Sequence, residues 1–289
     1  MKPPVFDYVA ARSLEEVFEN LDKSGGEGKI LAGGQSLTPI LNFRLAQPSL
    51  LVDINHVPGL DEIGKDNGGL RIGALVRHRA IESSAVVGEK LPMLIAAAQQ
   101  VGHLAIRNRG TFGGSLAHND PAAEWPMMAL LLDAEIRTER ASGGRTLTAR
   151  DFFVTYLTTA LEENEMLTEV RIPGVPVNSG WGFEELSRRP GDFALAALAT
   201  LITLKGGECS EARISMAGVG PTALRAPEAE ALLVGQRLEP DVLAAAGARA
   251  AEASDPSSDI HGSADYRRQL VAVLTRRALE AAFQRAQGS

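Results

Sequence analysis

The chain has 289 residues, of which 45% are hydrophobic and 22% are charged, and its formal net charge is −7. This length predicts two domains or one large domain, and the composition excludes a disordered chain or a fibre. The negative charge, without any run of Lys and Arg, argues against a nucleic-acid partner. A single cysteine excludes an intramolecular disulfide and a four-thiolate iron–sulfur cluster, and the five scattered histidines predict no metal site.

No segment of the sequence reads as a membrane or export signal. The N-terminal residues lack the apolar core of a signal peptide, and the longest nearly apolar stretch, 193–204, is too short to span a bilayer. We therefore expect a cytoplasmic protein with no integral membrane segment.

Residues 1–55 predict a small parallel α/β unit. Ser13 is a good N-cap and is followed by apolar residues at helical spacing. A short apolar strand at 29–32 then runs into two glycines, a helix at 36–43 and a second buried strand at 50–54.

Residues 56–175 change character and predict a second lobe. The pattern favours strands, apolar helices, a hairpin and one long polar loop, in the order strand 70–75, helix 92–101, loop 106–121, helix 125–132, hairpin 135–137 with 145–147, and strand 165–172. The Pro-Gly-Val-Pro run at 173–176 is the expected domain boundary.

Residues 176–289 predict a smaller C-terminal α+β domain. Strand patterns lie at 182–187, 193–204 and 211–219, and helical patterns at 240–252 and 265–284. The chain is therefore expected to carry a domain at 1–175, with lobes of about 1–55 and 56–175, followed by a domain at 176–289.

The first candidate for chemistry is the turn Ala32–Ser36, between the predicted strand and helix. Its two glycines permit a sharp turn and the close approach of a ligand, and the following helix points N–H groups and its positive dipole end at that spot. Gln35 and Ser36 add side-chain donors, so the turn suits a diphosphate. An ordinary strand-to-helix turn explains the same residues.

The second candidate is the polar, glycine-containing stretch Arg107–Pro121. Successive N–H groups around Thr111–Ser115 form a possible anion nest. A surface loop without function is the alternative, although such long loops are uncommon inside a domain. Two glycine-containing loops about 80 residues apart suggest a dinucleotide clamped between two lobes.

The remaining polar residues leave their roles open. Glu124 is suited either to accepting hydrogen bonds from a ribose or ribityl hydroxyl or to capping the next helix, and His118 is more typical of a structural residue. The spacing suggests no Ser-His-Asp arrangement. No catalytic residue is predicted.

These motifs carry a family resemblance. The chain resembles the FAD-binding medium subunits of the molybdenum hydroxylases, a family that includes xanthine dehydrogenase and aerobic carbon monoxide dehydrogenase. The resemblance covers almost the whole chain and rests on the motifs A-G-G-x-S at 32–36, G-A-L-V at 73–76, I-R-N-x-G-T-x-G-G at 106–114, L-T-E-V-R-I-P at 167–173, R-R-x-G-D-F-A at 188–194 and S-D-x-x-x-S-A-x-Y-R-R at 258–268.

The resemblance implies an α+β fold, with a two-lobed flavin-binding domain of the vanillyl-alcohol oxidase type and a C-terminal domain of the carbon monoxide dehydrogenase flavoprotein type. It implies that FAD contacts two loops and several isolated positions: Ile30, Leu31, Ala32, Gly33, Gly34, Gln35, Ser36, Leu37, Val101, Ile106, Thr111, Phe112, Gly113, Gly114, Ser115, His118, Asp120, Glu124, Leu167 and Phe193. Glu124 replaces an aspartate often found in the family, and Glu185 replaces a common lysine.

The implied function is electron transfer within a complex. The chain would pass electrons from the [2Fe–2S] clusters of a small partner subunit through FAD to an external acceptor. A large molybdopterin subunit would hydroxylate the substrate, and the complex would be a dimer of heterotrimers. A free-standing FAD-dependent oxidase and a non-catalytic nucleotide-binding module are the alternatives.

Overall fold

The computed structural model describes residues 2–288, and its first lobe is a three-stranded parallel sheet with two helices. The elements are β1 (Asp7–Ala10), α1 (Leu14–Lys23), β2 (Gly28–Leu31), α2 (Leu37–Asn42) and β3 (Leu50–Asp53). The strand order is β1-β3-β2. The predicted cap is confirmed, because the Ser13 hydroxyl accepts a hydrogen bond from the N–H of Glu16 at 3.3 Å.

The second lobe is built on a five-stranded antiparallel sheet in the order β4-β5-β10-β6-β7. Its elements are β4 (Ile63–Asp66), β5 (Gly69–Gly73), α3 (His78–Ser83), α4 (Ala85–Lys90), α5 (Pro92–Gln100), α6 (Leu104–Arg107), α7 (Phe112–His118), α8 (Glu124–Leu131), β6 (Glu135–Arg140), β7 (Gly143–Thr148), α9 (Ala149–Phe152), β8 (Phe153–Thr155), β9 (Thr158–Thr159) and β10 (Met166–Ile172). The predicted hairpin is confirmed as β6 and β7.

The prediction of a long loop at 106–121 is wrong, because α6 ends inside this stretch and the whole of α7 lies within it. Thr111 caps α7, and Phe112 and Leu116, one helical turn apart, are fully buried. The Phe112 ring packs edge-on against Trp125, with ring centroids 5.0 Å apart. Burial of this apolar pair overrides the low helix propensity of Gly113 and Gly114.

The C-terminal part is a four-stranded antiparallel sheet packed against helices. Its elements are β11 (Ser179–Leu186), β12 (Ala196–Lys205), β13 (Glu208–Ala217), β14 (Leu224–Arg225), α10 (Pro227–Leu233), α11 (Pro240–Glu252) and α12 (Ala264–Gln287). The helix predicted at 240–252 is confirmed, whereas the predicted strand 193–204 begins only at Ala196. Phe193 therefore lies in the connection between β11 and β12.

The largest core joins the second lobe to the C-terminal sheet. Ala197, Ala199 and Leu201 of β12 belong to the same buried cluster as Leu94 and Trp125 of the second lobe. A separate cluster lies between the C-terminal sheet and α10–α12. A third cluster is formed mainly by residues of the first lobe. Within residues 2–288, no helix combines the length and apolarity needed to cross a membrane.

Candidate functional site

The turn after β2 carries a row of unused backbone donors. Among the described residues, the N–H groups of Gly33, Gly34, Gln35 and Ser36 donate to no protein acceptor. Gly34 has φ +70°, a conformation that favours glycine, and the whole turn is half-buried. Because α2 has only six residues, its dipole contributes less than expected and the donors come from the turn itself.

The side chains of this turn point to the same chemistry. Gln35 Nε2 donates to the carbonyl oxygen of Gly33 at 2.9 Å, which braces the turn. The Ser36 side chain does not cap α2 and makes no hydrogen bond within residues 2–288. Four N–H groups and a free hydroxyl form a donor set suited to an anion with several oxygens, such as a diphosphate.

The nest expected at Thr111–Ser115 is not formed, because four of its N–H groups are already engaged. Each group donates to an acceptor in the same chain: Phe112 to Val76 O at 2.8 Å, Gly113 to Ala74 O at 3.0 Å, Gly114 to Thr111 Oγ1 at 3.2 Å and Ser115 to Thr111 O at 3.0 Å. The Phe112 side chain is also buried in the core. These residues therefore fix α7 in place rather than offering free backbone donors.

Helix α7 nevertheless has an open side. Gly114, Ser115 and His118 are half-buried, whereas Phe112 and Leu116 face the core. Burial lowers the pKa of His118, so its imidazole is neutral at neutral pH. This side of α7 offers a hydroxyl and a neutral imidazole.

The two turns touch each other. A Cβ on Gly33 would overlap the carbonyl oxygen of Arg109 and lie 2.8 Å from the Cα of Gly110. A Cβ on Gly114 would lie 3.8 Å from the Cβ of Ala32. The structure therefore brings together residues that are about 80 positions apart, at the junction of the two lobes.

Two residues that the sequence analysis missed bridge the turns. Asn55 Nδ2 donates to the carbonyl oxygen of Ala32 at 2.9 Å. Arg77 donates from Nη2 to Asn55 Oδ1 at 2.6 Å and from Nη1 to the carbonyl oxygen of Arg109. We call this pair of side chains the Asn55–Arg77 bridge.

The bridge is anchored in the first sheet. Asp53 Oδ1 accepts from the Asn55 backbone N–H at 2.9 Å and from Nδ2 at 2.6 Å, and Asp53 Oδ2 accepts from the Tyr8 hydroxyl at 2.6 Å. Burial alone would raise the pKa of Asp53, but the hydrogen bonds from Tyr8 and Asn55 lower it. The sequence signal was a polar pair at the carboxyl end of a buried strand, beside the strand that leads into the first turn.

Beyond α7 lie two carboxyl groups whose pKa values are raised by burial. Burial and the charge of Glu185 raise the pKa of Glu124, the first residue of α8, to about 8. Burial raises the pKa of Glu185, on β11, to about 7, and its Oε2 is buried without a hydrogen-bond partner among the described residues. Asp120 adds to the negative potential at Glu124, so the pair resists full ionisation at neutral pH.

The other predicted contacts lie around these elements. Ile30 and Leu31 are in β2, and Leu37 begins α2. Val101 follows α5, Ile106 is in α6, and Arg107 Nη1 donates to the Val101 carbonyl oxygen at 3.2 Å. The last two predicted contacts, Leu167 and Phe193, differ in exposure. Leu167 is buried in β10, which packs against α7, whereas Phe193 is 63% exposed.

Comparison with known proteins identifies the class to which this geometry belongs. The model of the FAD-binding domain in molybdopterin dehydrogenase matches residues 4–175, and the model of the carbon monoxide dehydrogenase flavoprotein C-terminal domain matches residues 181–282. The chain therefore belongs to the family of FAD-binding subunits of molybdenum hydroxylases. The expected α+β fold and the expected FAD cofactor are confirmed.

Individual relatives match over nearly the full length. The alpha subunit of the 6-hydroxypseudooxynicotine dehydrogenase complex of Paenarthrobacter nicotinovorans is 45% identical over 287 residues, covering 99% of this chain and 97% of the relative. A chain of carbon monoxide dehydrogenase from Hydrogenophaga pseudoflava superposes with a TM-score of 0.96 at 39% identity, covering 99% of both chains. A chain of quinoline 2-oxidoreductase from Pseudomonas putida 86 gives 0.93 at 41% identity, covering 100% of this chain and 99% of that one.

Proposed function

We propose that this chain holds FAD at the junction of its two lobes and passes electrons from a cluster-bearing partner to an external acceptor. The observation that carries the proposal is the turn Gly33–Ser36, whose four N–H groups have no acceptor among residues 2–288 and which faces the open side of α7. The donor set fits a diphosphate. FAD bound there would supply the redox chemistry of the chain.

The chain's own residues would bind and orient the cofactor. The N–H groups of the first turn and the Ser36 hydroxyl would hold the diphosphate, with Ser115 and His118 on the opposite side. Asp120 and Glu124 would meet the polar middle of the cofactor. The apolar positions Ile30, Leu31, Ala32, Leu37, Val101, Ile106, Leu167 and Phe193 would surround its rings. Thr111, Phe112, Gly113 and Gly114 would hold α7 in position, since their backbone donors are engaged.

We also propose that a small iron–sulfur subunit and a large molybdopterin subunit complete the enzyme as a dimer of heterotrimers. The support is that its relatives are named as medium chains or as subunits of dehydrogenase complexes. The exposed ring of Phe193, with Arg188 and Arg189 nearby in sequence, is our candidate for the partner-facing region. A cytoplasmic location stays a prediction of the sequence.

Reconstitution tests the proposal. The flavin-loaded chain is mixed with its two partner subunits, and the visible flavin absorbance is followed after addition of substrates named in its relatives, such as quinoline or carbon monoxide. We expect the absorbance to fall only when both partners are present, and the chain alone to be reduced by dithionite. Bleaching of the chain alone by substrate would favour the free-standing oxidase. A chain that binds nucleotide but no flavin would favour the non-catalytic module.

A further inference from the structure

The Asn55–Arg77 bridge crosses from the first lobe to the second, where Arg77 Nη2 donates to Asn55 Oδ1 at 2.6 Å. Asn55 follows β3, Ala32 follows β2, and Arg77 lies between β5 and α3 in the second lobe. Their hydrogen bonds span 22, 23 and 32 positions in the sequence. A rigid planar guanidinium therefore adds a side-chain link between the two turns, beside their direct contact at Gly33, and it acts through one amide side chain.

Two neutral oxygens hold the Arg77 guanidinium in this position. Within residues 2–288 it forms no ion pair, and only two of the five N–H donors of its guanidinium are engaged, both with neutral oxygens. Its side chain is half-buried, and burial lowers its pKa from the ordinary value. The charges of Asp53 and Asp61 act in the opposite direction and raise the pKa of Arg77, but neither carboxylate forms an ion pair with it within residues 2–288, so its hydrogen bonds serve the Asn55 amide and the Arg109 carbonyl.

The acceptors of the bridge are backbone carbonyl groups of the two turns. Asn55 fixes the carbonyl of Ala32, which immediately precedes Gly33. Arg77 fixes the carbonyl of Arg109, the same oxygen that a Cβ on Gly33 would overlap. The bridge thus sets the distance between the turn with the free N–H groups and the segment that leads into α7.

We propose that Asn55 and Arg77 are positioning residues for FAD, because they hold the two turns at the separation that lets one diphosphate reach both sides. The proposal rests on the proposed function. The effect on FAD binding comes from the geometry of the guanidinium, whose planar fork holds the Asn55 amide oxygen and the Arg109 carbonyl oxygen together, and not from its positive charge alone.

The test compares FAD affinity with stability in three variants. Arg77→Met removes the bridge and the charge, Arg77→Lys keeps the charge but loses the planar fork, and Asn55→Ala removes the link to Ala32. The FAD dissociation constant is measured by quenching of flavin fluorescence, and urea unfolding of the flavin-free chain is measured in parallel. We expect each variant to weaken FAD binding by about tenfold or more. The ³¹P resonances of bound FAD should also shift in each variant, which loss of packing elsewhere would not produce.

Arg79→Met is the matched control. Arg79 is an exposed arginine two positions away on α3, paired with Glu82 at 3.0 Å, and its loss should leave the FAD dissociation constant unchanged. The double variant Asn55→Ala/Arg77→Met should bind FAD about as weakly as either single variant, because both break the same bridge.

Several results would overturn the proposal. Full rescue by Arg77→Lys would assign the effect to charge, and additive losses in the double variant would mean that the two residues act separately. Unchanged FAD affinity in Arg77→Met and Asn55→Ala, together with weaker binding in Ser36→Ala, would reject the bridge and keep the site. If Ser36→Ala and Gly33→Ala also bound FAD normally, the proposed site itself would be wrong. If Arg77→Met does not fold, Arg77→Lys and Asn55→Ala decide the question alone.

Discussion

The two glycine turns look alike in sequence but differ in what their backbones can still bind. In the turn Gly33–Ser36 four N–H groups have no acceptor in the described part of the chain. In Phe112–Ser115 all four donate to carbonyl or hydroxyl oxygens of the same chain. We therefore propose that the first turn binds the ligand and that the second holds α7 in place. A glycine-rich motif shows where the backbone is unusual, and only the hydrogen bonds show whether it is available to a ligand.

The glycines also serve different purposes from those expected of a ligand cradle. Gly33 is needed because the backbone of Arg109 and Gly110 passes directly against it. Gly113 is needed because a Cβ there would lie 2.7 Å from the Cα of Ala74. Both positions therefore serve close packing between segments of the protein, and of the four glycines in the two turns only Gly34 has a left-handed conformation.

The largest expected effect comes from forcing the two turns apart. Gly33→Ala places a methyl group against rigid backbone, so we expect a loss of roughly 1–3 kcal/mol in the free energy of unfolding. FAD affinity should fall by about tenfold or more, since the diphosphate would lose contacts on one side. Gly88→Ala is the control, because its Cβ would make only an ordinary 3.4 Å contact with Ile95 Cδ1. Normal FAD binding by Gly33→Ala would show that the contact between the turns is not needed.

The comparison extends to the carboxyl groups beyond the second turn. The folded chain retains protons on Glu124 and Glu185 that the unfolded chain releases, so stability should fall as the pH rises from the ordinary carboxyl range towards about 8. Glu185→Gln removes one of these groups and its effect on the other. Between about pH 5 and about pH 8, the loss in the free energy of unfolding should therefore be smaller in this variant, by roughly 1–3 kcal/mol. Urea unfolding of the flavin-free chain measures it.

The control for this variant is Glu184→Gln. Glu184 is adjacent on β11, and successive strand residues point to opposite faces, so its loss should leave the pH dependence as it is. An identical pH dependence in Glu185→Gln and the unsubstituted chain would mean that the buried pair does not titrate as described.

Ser36→Ala tests whether the first turn is a ligand surface. The Ser36 hydroxyl has no hydrogen bond within residues 2–288, so its removal should leave the melting temperature unchanged. FAD affinity should fall by about tenfold, the expected loss of one hydrogen bond to a charged group. A lower melting temperature with unchanged FAD affinity would remove the distinction between the two turns.

Thr111→Ala is the converse test and the smallest expected effect. It removes the hydroxyl that caps α7 through the N–H of Gly114, which should lower the unfolding free energy by about 1 kcal/mol. Scanning calorimetry should detect a shift of roughly 2–4 °C. FAD affinity should change less than in Ser36→Ala, and Thr111→Ser should behave like the unsubstituted chain because it keeps the capping oxygen.

The sequence predicted well those features that depend on residues close together in the chain. The cap at Ser13, the strand–turn–helix unit around Gly33 and Gly34, and α11 all depend on residues close in the chain. Helix α7 was misread because Gly113 and Gly114 are poor helix formers, and the packing that stabilises it comes from distant Trp125.

The missed parts of the site depend on distant partners. Two of the four acceptors of the N–H groups of Phe112–Ser115 come from Val76 and Ala74, and the Asn55–Arg77 bridge crosses three segments. A single sequence does not show which strand ends meet, so Asn55 and Arg77 gave no signal of binding each other. The resemblance to a known family supplied the positions of the turns but not the state of their donors.

The buried cluster that joins β12 to the second lobe has a consequence for exchange of parts between relatives. Ala197 and Ala199 of β12 share one buried cluster with Leu94 and Trp125, which belong to the segment before residue 175, and β12 packs against α8. A chimera that takes its C-terminal half from another family member inherits only one side of this cluster from that member. Even one added methyl group at such a site strains a closely packed interior. Functional hybrids should therefore require α8 and β12 to come from the same parent protein, although these two elements lie on opposite sides of the boundary between the two family segments.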